Sequence, residues 1–216
     1  MGTSLVTVVD YGLGNLLSVR RAFERAGAEV VLTESPEAVE RAQRLVLPGV
    51  GAFSDGMREL ERRGLVEPLR RYAATGRPLL GVCLGMQLLL EESDEFGRTG
   101  GLGLIPGRAV DLRSLAPGRP LKVPHIGWSV LFESHPEAWR GTPLEPLEPG
   151  ACVYFVHSFA AVPADERDRL ADTEYEGCRF AAVLRHGAIL GTQFHPEKSG
   201  PAGLAIVERF VRDGQG

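Results

Sequence analysis

Two short stretches, far apart in the chain, carry residue types that could act on one another. The first is Gly81-Val-Cys83-Leu-Gly85, set inside the segment from Arg77 to Glu91. A short apolar run leads into it, and an apolar segment of good helix formers follows, ending in acidic residues. A strand that turns sharply into a helix at a G-x-C-x-G core is the thiol form of a nucleophile elbow. Its glycines allow close backbone approach, and Cys83 is left at the tip. The helix N-terminus behind the sulfur favours thiolate over thiol. The N–H of Leu84 is placed where an oxyanion would form. A lone cysteine is more commonly a small buried hydrophobe. Here the flanking glycines and the switch from strand to helix favour a nucleophile.

A nucleophile needs a base, and the base an orienting group. Gly191-Thr-Gln-Phe-His195-Pro-Glu197-Lys198 supplies both. The apolar run 188–194 predicts a strand that Pro196 stops at the histidine, with Glu197 able to reach the same ring. His195 would take the thiol proton, while Glu197 fixes the tautomer and supports the imidazolium. On its own, His-Pro-Glu also fits a surface turn. Its pairing with the elbow favours the Cys83–His195–Glu197 relay.

The elements that must place these groups follow from hydrophobic periodicity. Ser4 to Asp10 is Val-rich and reads as a buried parallel strand, and Leu16 to Ala26 has helix spacing closed by Gly27. Glu29 to Thr33 is a second strand, and Ser35-Pro-Glu-Ala begins a short capped helix. Arg44 to Leu47 is a third strand, leading into the turn Pro48-Gly-Val-Gly51. Phe53 to Thr75 reads as helix interrupted at Gly64 and Pro68, with Gly76 as its stop. From Gly97 to Gly150 helical periodicity is scarce, with short strands expected over 108–112 and 126–132. Ala151 to Phe159 is a further strand. Cys178 to Leu184 and Ala188 to Phe194 form a hairpin through Arg185-His186-Gly187. Pro201 to Val211 is an amphipathic helix with Leu204, Val207 and Val211 on one side. The expected fold class is therefore α/β, one domain over residues 1–216. A mostly parallel central sheet is flanked by helices, and antiparallel strands are added in the C-terminal half. The site should gather at the carboxyl ends of the parallel strands, where loops 10–15, 48–51 and 83–87 converge.

Composition removes several classes of function. With 216 residues and 44% hydrophobic content the chain can bury a sizeable core. Its net charge of −4 gives no reason to expect nucleic acid or an anionic membrane. No apolar run has the length of a membrane span, and no secretion signal is evident. Cys83, Cys152 and Cys178 leave an odd thiol without metal-ligand spacing, which points to a reducing cytoplasm. Tyr11-Gly-Leu-Gly-Asn15 lacks the third glycine of a dinucleotide fingerprint. Lys122 and Lys198 are the only lysines and Asn15 the only asparagine, so Asn15 and Lys198 stand out beside the candidate site.

G-V-C-L-G-M-Q with Q-F-H-P-E-K resembles the class I, triad-type glutamine amidotransferases, and more narrowly the glutaminase subunits of imidazole glycerol phosphate synthases. The narrower likeness rests on Val9-Asp-Tyr-Gly-Leu-Gly-Asn15-Leu, Leu47-Pro-Gly-Val-Gly-Ala-Phe53, Pro124-His-Ile-Gly-Trp128 and Tyr154-Phe-Val-His-Ser158. These motifs span essentially the whole chain. The resemblance implies a flavodoxin-like sheet and a glutaminase needing no metal or organic cofactor. It also implies a heterodimer with a (β/α)8-barrel cyclase subunit that uses the ammonia in histidine biosynthesis. Backbone N–H groups near Val50 and Gly51 would join Leu84 as the oxyanion hole. Gln87, one helical turn past Cys83, would recognise glutamine, although a polar residue on an apolar helix also fits. Glu95 would meet the substrate ammonium group, against the commoner role of a solvated acidic loop. The His157-Ser158-Phe159 backbone would hold the α-amino acid group. Asn15, Tyr154 and Lys198 would face the partner. Ser129 stands where that family usually has Asn. His125 and His157 lack a neighbouring carboxylate in sequence, which sets them below His195 as bases. Alternatives are service to another synthase such as pyridoxal phosphate synthase, a cysteine peptidase on the same elbow, or an inactive binding subunit.

Overall fold

The computed structural model describes residues 4–148 and 150–212. The first half alternates strand and helix: β1 (Leu5–Val9), α1 (Leu16–Arg25), β2 (Glu29–Thr33), α2 (Pro36–Arg41), β3 (Arg44–Leu47), α3 (Phe53–Arg62), α4 (Val66–Ala74), β4 (Leu79–Val82) and α5 (Leu84–Leu88). Strands then dominate: β5 (Leu90–Ser93), β6 (Thr99–Gly100), β7 (Ile105–Asp111), β8 (His125–Glu133), β9 (Cys152–His157), β10 (Phe159–Pro163), β11 (Arg169–Tyr175), β12 (Cys178–His186) and β13 (Ile189–Thr192), before α6 (Gly200–Arg212).

A nine-stranded sheet runs β2-β1-β3-β4-β13-β12-β11-β8-β9. Its first five strands are mutually parallel, and from β13 outward every neighbour is antiparallel. This is the α/β arrangement expected, with β1, β3, β4 and β13 buried on both faces and the edge strand β2 largely exposed. On one face Val6, Val8, Val46, Leu80 and Val82 pack with Val19 and Phe23 of α1 and Ile206, Val207 and Phe210 of α6. On the other, Val9, Leu45, Leu47 and Leu79 pack with Val39, Phe53, Met57, Leu60, Leu69 and Tyr72 of α2, α3 and α4. Alternate residues of one strand thus serve two cores.

Five local expectations need correction. Pro68 does not interrupt a helix, because it lies in the first turn of α4, where its missing N–H has no intrahelical partner to lose. The break is at Gly64, at φ +65°. The helix after Cys83 ends at Leu88 instead of running on to the acidic residues, and the chain re-enters β structure as β5. Leu88, Leu89 and Leu90 are all buried, and an apolar run without a polar face has no period to read. The strand expected over 151–159 is two strands, β9 in the large sheet and β10 in a separate four-stranded sheet of order β10-β7-β5-β6. The hairpin turn is Gly187-Ala188, since His186 pairs with Ile189, and the His186 ring lies 3.0 Å from Asp168 Oδ2. On α6 the buried side is Gly203, Ile206, Val207, Phe210 and Val211, with Leu204 only partly covered.

Candidate active site

Cys83 stands between β4 and α5 at φ 55° and ψ −110°, a conformation that non-glycine residues rarely adopt. Strain of this kind persists only where the surroundings enforce it. Two constraints do so here. The Cys83 N–H donates to Thr192 O of β13 at 2.7 Å, and α5 lies directly on the end of β3. A Cβ on Gly85 would overlap the Leu47 carbonyl oxygen, and one on Gly81 would stand 2.9 Å from Gly85 O. Leu84 is the first residue of α5, so its N–H has no partner within the helix.

β4 and β13 are parallel neighbours, with Gly81 opposite Gly191 and Val82 opposite Thr192. Both strands therefore end at the same level, which brings His195 beside Cys83. Pro196 begins a single 3-10 turn, Pro196–Lys198, that folds Glu197 back onto the ring. His195 Nδ1 lies 2.8 Å from Glu197 Oε1, and both side chains are almost fully buried. The turn is fastened from β9: His195 N–H donates to Tyr154 O at 3.0 Å, and Tyr154 N–H donates to Ser199 Oγ at 2.9 Å. Burial by itself would lower the His195 pKa. Hydrogen bonding and charge from Cys83 and Glu197 outweigh it and raise the ring to about 9. The ring's Nε2 is buried and outside regular hydrogen-bond geometry, as unliganded sites often are.

In front of the sulfur lies a cavity of about 350 Å³ lined by Val50, Gly51, Cys83, Leu84, Gln87, Glu95, Pro124, Val156, His157, Ser158 and Phe159. Gly51 adopts φ +109°, which only glycine takes without strain. Glu95 is held at the rim, where Oε2 accepts the Phe53 N–H at 2.6 Å. The Gln87 amide nitrogen donates to Phe159 O at 3.0 Å, leaving its carbonyl as the remaining polar capacity. Ser158 is the hinge between β9 and β10, so this wall of the cavity is made where the chain changes sheets. The His157 ring turns away from the sulfur, onto Phe159 O at 2.8 Å and His125 at 3.1 Å. A larger open groove of about 660 Å³ borders Phe132, Trp139 and Arg179, with no cysteine–histidine pair on it. Among the described residues, no three His, Cys, Asp or Glu side chains are placed to hold a metal ion.

The chain matches the family model for glutamine amidotransferase class-I over residues 7–213. The chain belongs to the class I glutamine amidotransferases. Among curated relatives, imidazole glycerol phosphate synthase subunit HisH 1 of Legionella pneumophila (strain Lens) is 49% identical over 211 residues, 97% of this chain and 99% of the relative. Subunit HisH of Geobacter sulfurreducens is 47% identical over 208 residues, covering 95% and 97%. Solved structures share the amidotransferase fold at lower identity. PurLQS from Thermotoga maritima superposes with a TM-score of 0.71 at 19% identity over 97% of this chain and 98% of that one. A glutamine amidotransferase crystal structure gives 0.70 at 20% identity, covering 95% and 97%.

This amidotransferase holds its remaining candidates outside the cavity. Asn15 is exposed and caps α1, accepting the Ser18 N–H at 3.4 Å, so a local structural role accompanies it. Lys198 is exposed on the turn that carries Glu197, and Tyr154 packs edge-on to Trp128 with ring centroids 6.0 Å apart. Trp128 and Ile126 are 57% and 58% exposed on β8, an apolar surface beside that turn. The Pro-His-Ile-Gly-Trp motif contains both, but their exposure depends on register, which sequence does not show. Gln193, the first residue of the Q-F-H-P-E-K motif, is a further residue at the site to which sequence assigned no role. It is fully buried, and its amide nitrogen lies 3.8 Å from the Cys83 sulfur.

Proposed function

We propose that this chain, as one domain over residues 1–216, is the glutaminase subunit of an imidazole glycerol phosphate synthase. It hydrolyses glutamine to glutamate and ammonia. The ammonia passes to a (β/α)8-barrel cyclase subunit, the other half of a heterodimer, which makes imidazole glycerol phosphate and aminoimidazole carboxamide ribotide in histidine biosynthesis. The observation that carries the chemistry is Cys83 at a strained elbow whose neighbouring strand ends in the buried His195–Glu197 pair. Identities of 47–49% over nearly the full length of the HisH subunits support the partner and the pathway.

In this reading the Cys83 sulfur attacks the side-chain amide carbon of glutamine, its proton having passed to His195. The oxyanion is met by backbone N–H groups of Leu84 and the Val50–Gly51 turn. His195 returns the proton to the departing amide nitrogen, which leaves as ammonia while a glutamyl thioester remains. Water then attacks the thioester with His195 as base, the C–S bond breaks and glutamate departs. Glu95 meets the substrate ammonium group, Gln87 accepts a substrate N–H, and the main chain of His157, Ser158 and Phe159 frames the α-amino acid end. A pocket of about 350 Å³ suits one amino acid better than an extended peptide. Hydrolysis by this route requires no cofactor. Among the described residues no helix is long and apolar enough to cross a membrane, and a cytoplasmic setting suits the three free thiols.

Ammonia released without a partner is wasted, so basal turnover should be low. Glutamate release should rise at least about tenfold when the barrel and its nucleotide ligand are both added, the scale of an ordinary coupling free energy. Equal rates in every condition would remove the assigned partner. Silence in every condition, with a folded complex, would leave an inactive scaffold.

Glu197→Gln tests the relay. Glu197 helps raise His195 to about 9, so its removal lowers the pH at which the ring loses its proton. The alkaline limb of the rate should move acidward by about one to two pH units, and kcat should fall on the order of 10²–10⁴-fold. A pH–rate profile with an unmoved alkaline limb would contradict the role given to Glu197.

A further inference from the structure

Gln193 follows the last residue of β13, and its backbone N–H donates to Ala182 O of β12 at 2.8 Å, so the sheet fixes where its side chain starts. The side chain is fully buried and meets two groups. Its Nε2 lies 3.8 Å from the Cys83 sulfur, and its Oε1 accepts from Gln87 Nε2 at 3.0 Å. The same Gln87 nitrogen donates its other proton to Phe159 O at 3.0 Å.

The two ends of a side-chain amide are alike in shape, so their orientation follows from their partners. A carbonyl only accepts. Phe159 O therefore demands the nitrogen of Gln87, and that nitrogen demands the oxygen of Gln193. The nitrogen of Gln193 is thereby turned onto the sulfur.

Phe159 O is gripped from its other side by His157 Nδ1 at 2.8 Å. His157 Nε2 meets His125 Nδ1 at 3.1 Å, and His125 Nε2 meets Ser129 Oγ at 3.0 Å. The donor–acceptor order continues outward from that carbonyl. His157 donates from Nδ1 and accepts at Nε2, so His125 donates from Nδ1 and accepts the Ser129 hydroxyl proton. This pattern needs two neutral rings, and burial supplies them, pushing His125 down to about 4 and His157 to about 3. One backbone carbonyl sets the direction of every proton between Ser129 and the sulfur.

We propose that Gln193 is a positioning residue for the Cys83 thiolate, presenting to the sulfur an N–H whose direction the Phe159 carbonyl imposes through Gln87. The geometry stands by itself, while its use in turnover rests on the glutaminase reading above. The Val156 carbonyl faces the same sulfur at 3.9 Å and has the opposite preference, taking a thiol proton but opposing negative charge. The titratable groups coupled to the sulfur are His195 and Tyr11, whose buried hydroxyl is pushed far up, chiefly by burial and then by Cys83. With Tyr11 neutral, the Gln193 N–H joins the His195 ring and the N-terminal N–H groups of α5 in presenting positive charge to the sulfur.

The test is the rate at which iodoacetamide alkylates Cys83 at pH 7, followed by mass spectrometry of the Cys83 peptide, with glutamine kinetics in the assembled complex. Gln193→Met keeps volume and loses the donor; Gln193→Glu keeps shape and turns an acceptor onto the sulfur. Both should slow alkylation about tenfold or more, and kcat should fall by a similar factor with KM held within about threefold. A merely structural role would move the melting temperature and leave the alkylation rate of the folded protein unchanged. That outcome overturns the proposal. If neither variant folds, side-chain amide NMR of the wild-type chain decides: alkylating Cys83 should shift the Gln193 amide protons, and no shift overturns the assignment. Slowed alkylation in a complex that releases no glutamate upholds the positioning role and removes the glutaminase reading instead.

Discussion

Cys83→Ala should release no measurable glutamate from the assembled complex, a loss of at least about 10⁴-fold. The thiol is the atom that bonds to carbon in the proposed mechanism, and no neighbouring group can replace it. Cys152 is exposed at the start of β9 with its sulfur on the Gly150 carbonyl, Cys178 is buried as the first residue of β12, and Tyr11 is too weak an acid where it lies. The fold should survive, because Ala accepts the Cys83 backbone conformation no worse than Cys does. Removing the sulfur also removes a group that raises His195, so the ring's titration by NMR should move down from about 9. Both readouts concern the same pair of side chains. Turnover within tenfold of wild type would sink the covalent mechanism, whatever the titration showed.

The largest effect on stability is expected at Gly85→Ala. The added methyl group would overlap the Leu47 carbonyl oxygen, a backbone atom already fixed by pairing between β3 and β4. Overpacking against movable side chains costs about 1–3 kcal/mol; against rigid backbone the cost should exceed about 3 kcal/mol. Neither α5 nor β3 can yield without displacing Leu84 or the Pro48–Gly51 turn, so the elbow should distort before it accommodates the group. Gly100→Ala is the matched control: it lies in β6 with no atom within 4 Å of the added carbon. Urea unfolding of the two variants decides the matter. A Gly85→Ala chain within about 1 kcal/mol of wild type would show that α5 is not seated on β3 in this way.

The parallel half was legible because each of its signals is local. Apolar runs end at Asp10 and Leu47, Ser35 offers a cap to which the Ala38 N–H donates at 3.3 Å, and Gly64 breaks the helical stretch. The Cys83 elbow and the His195–Glu197 turn were legible for the same reason, as each lies within a few residues. What escaped depends on partners remote in sequence. The small sheet joins β5, β7 and β10, whose residues are spread from Leu90 to Pro163. Gln193 stands in the Q-F-H-P-E-K motif with no role readable from its neighbours, until the fold sets it beside Gln87 and Cys83. Ser129, read as a departure from family pattern, meets His125 across four residues of one strand. Asn15 was singled out for rarity, yet its visible work is capping α1.

The placement of β13 bears on how the chain is born. It is the last strand made, but it occupies the middle of the large sheet, between β4 and β12. A chain synthesised just past β4 carries Cys83 with one of that strand's two neighbours, β13, still unmade, and the segment bearing His195 follows more than a hundred residues later. Such a pairing closes a long loop and forms late. In the proposed mechanism a nascent chain, or one clipped before Ile189, holds a thiol with no base. Hydrolysis of cellular glutamine is thus withheld until synthesis is complete and the central strand has inserted. Topology serves as the quality control.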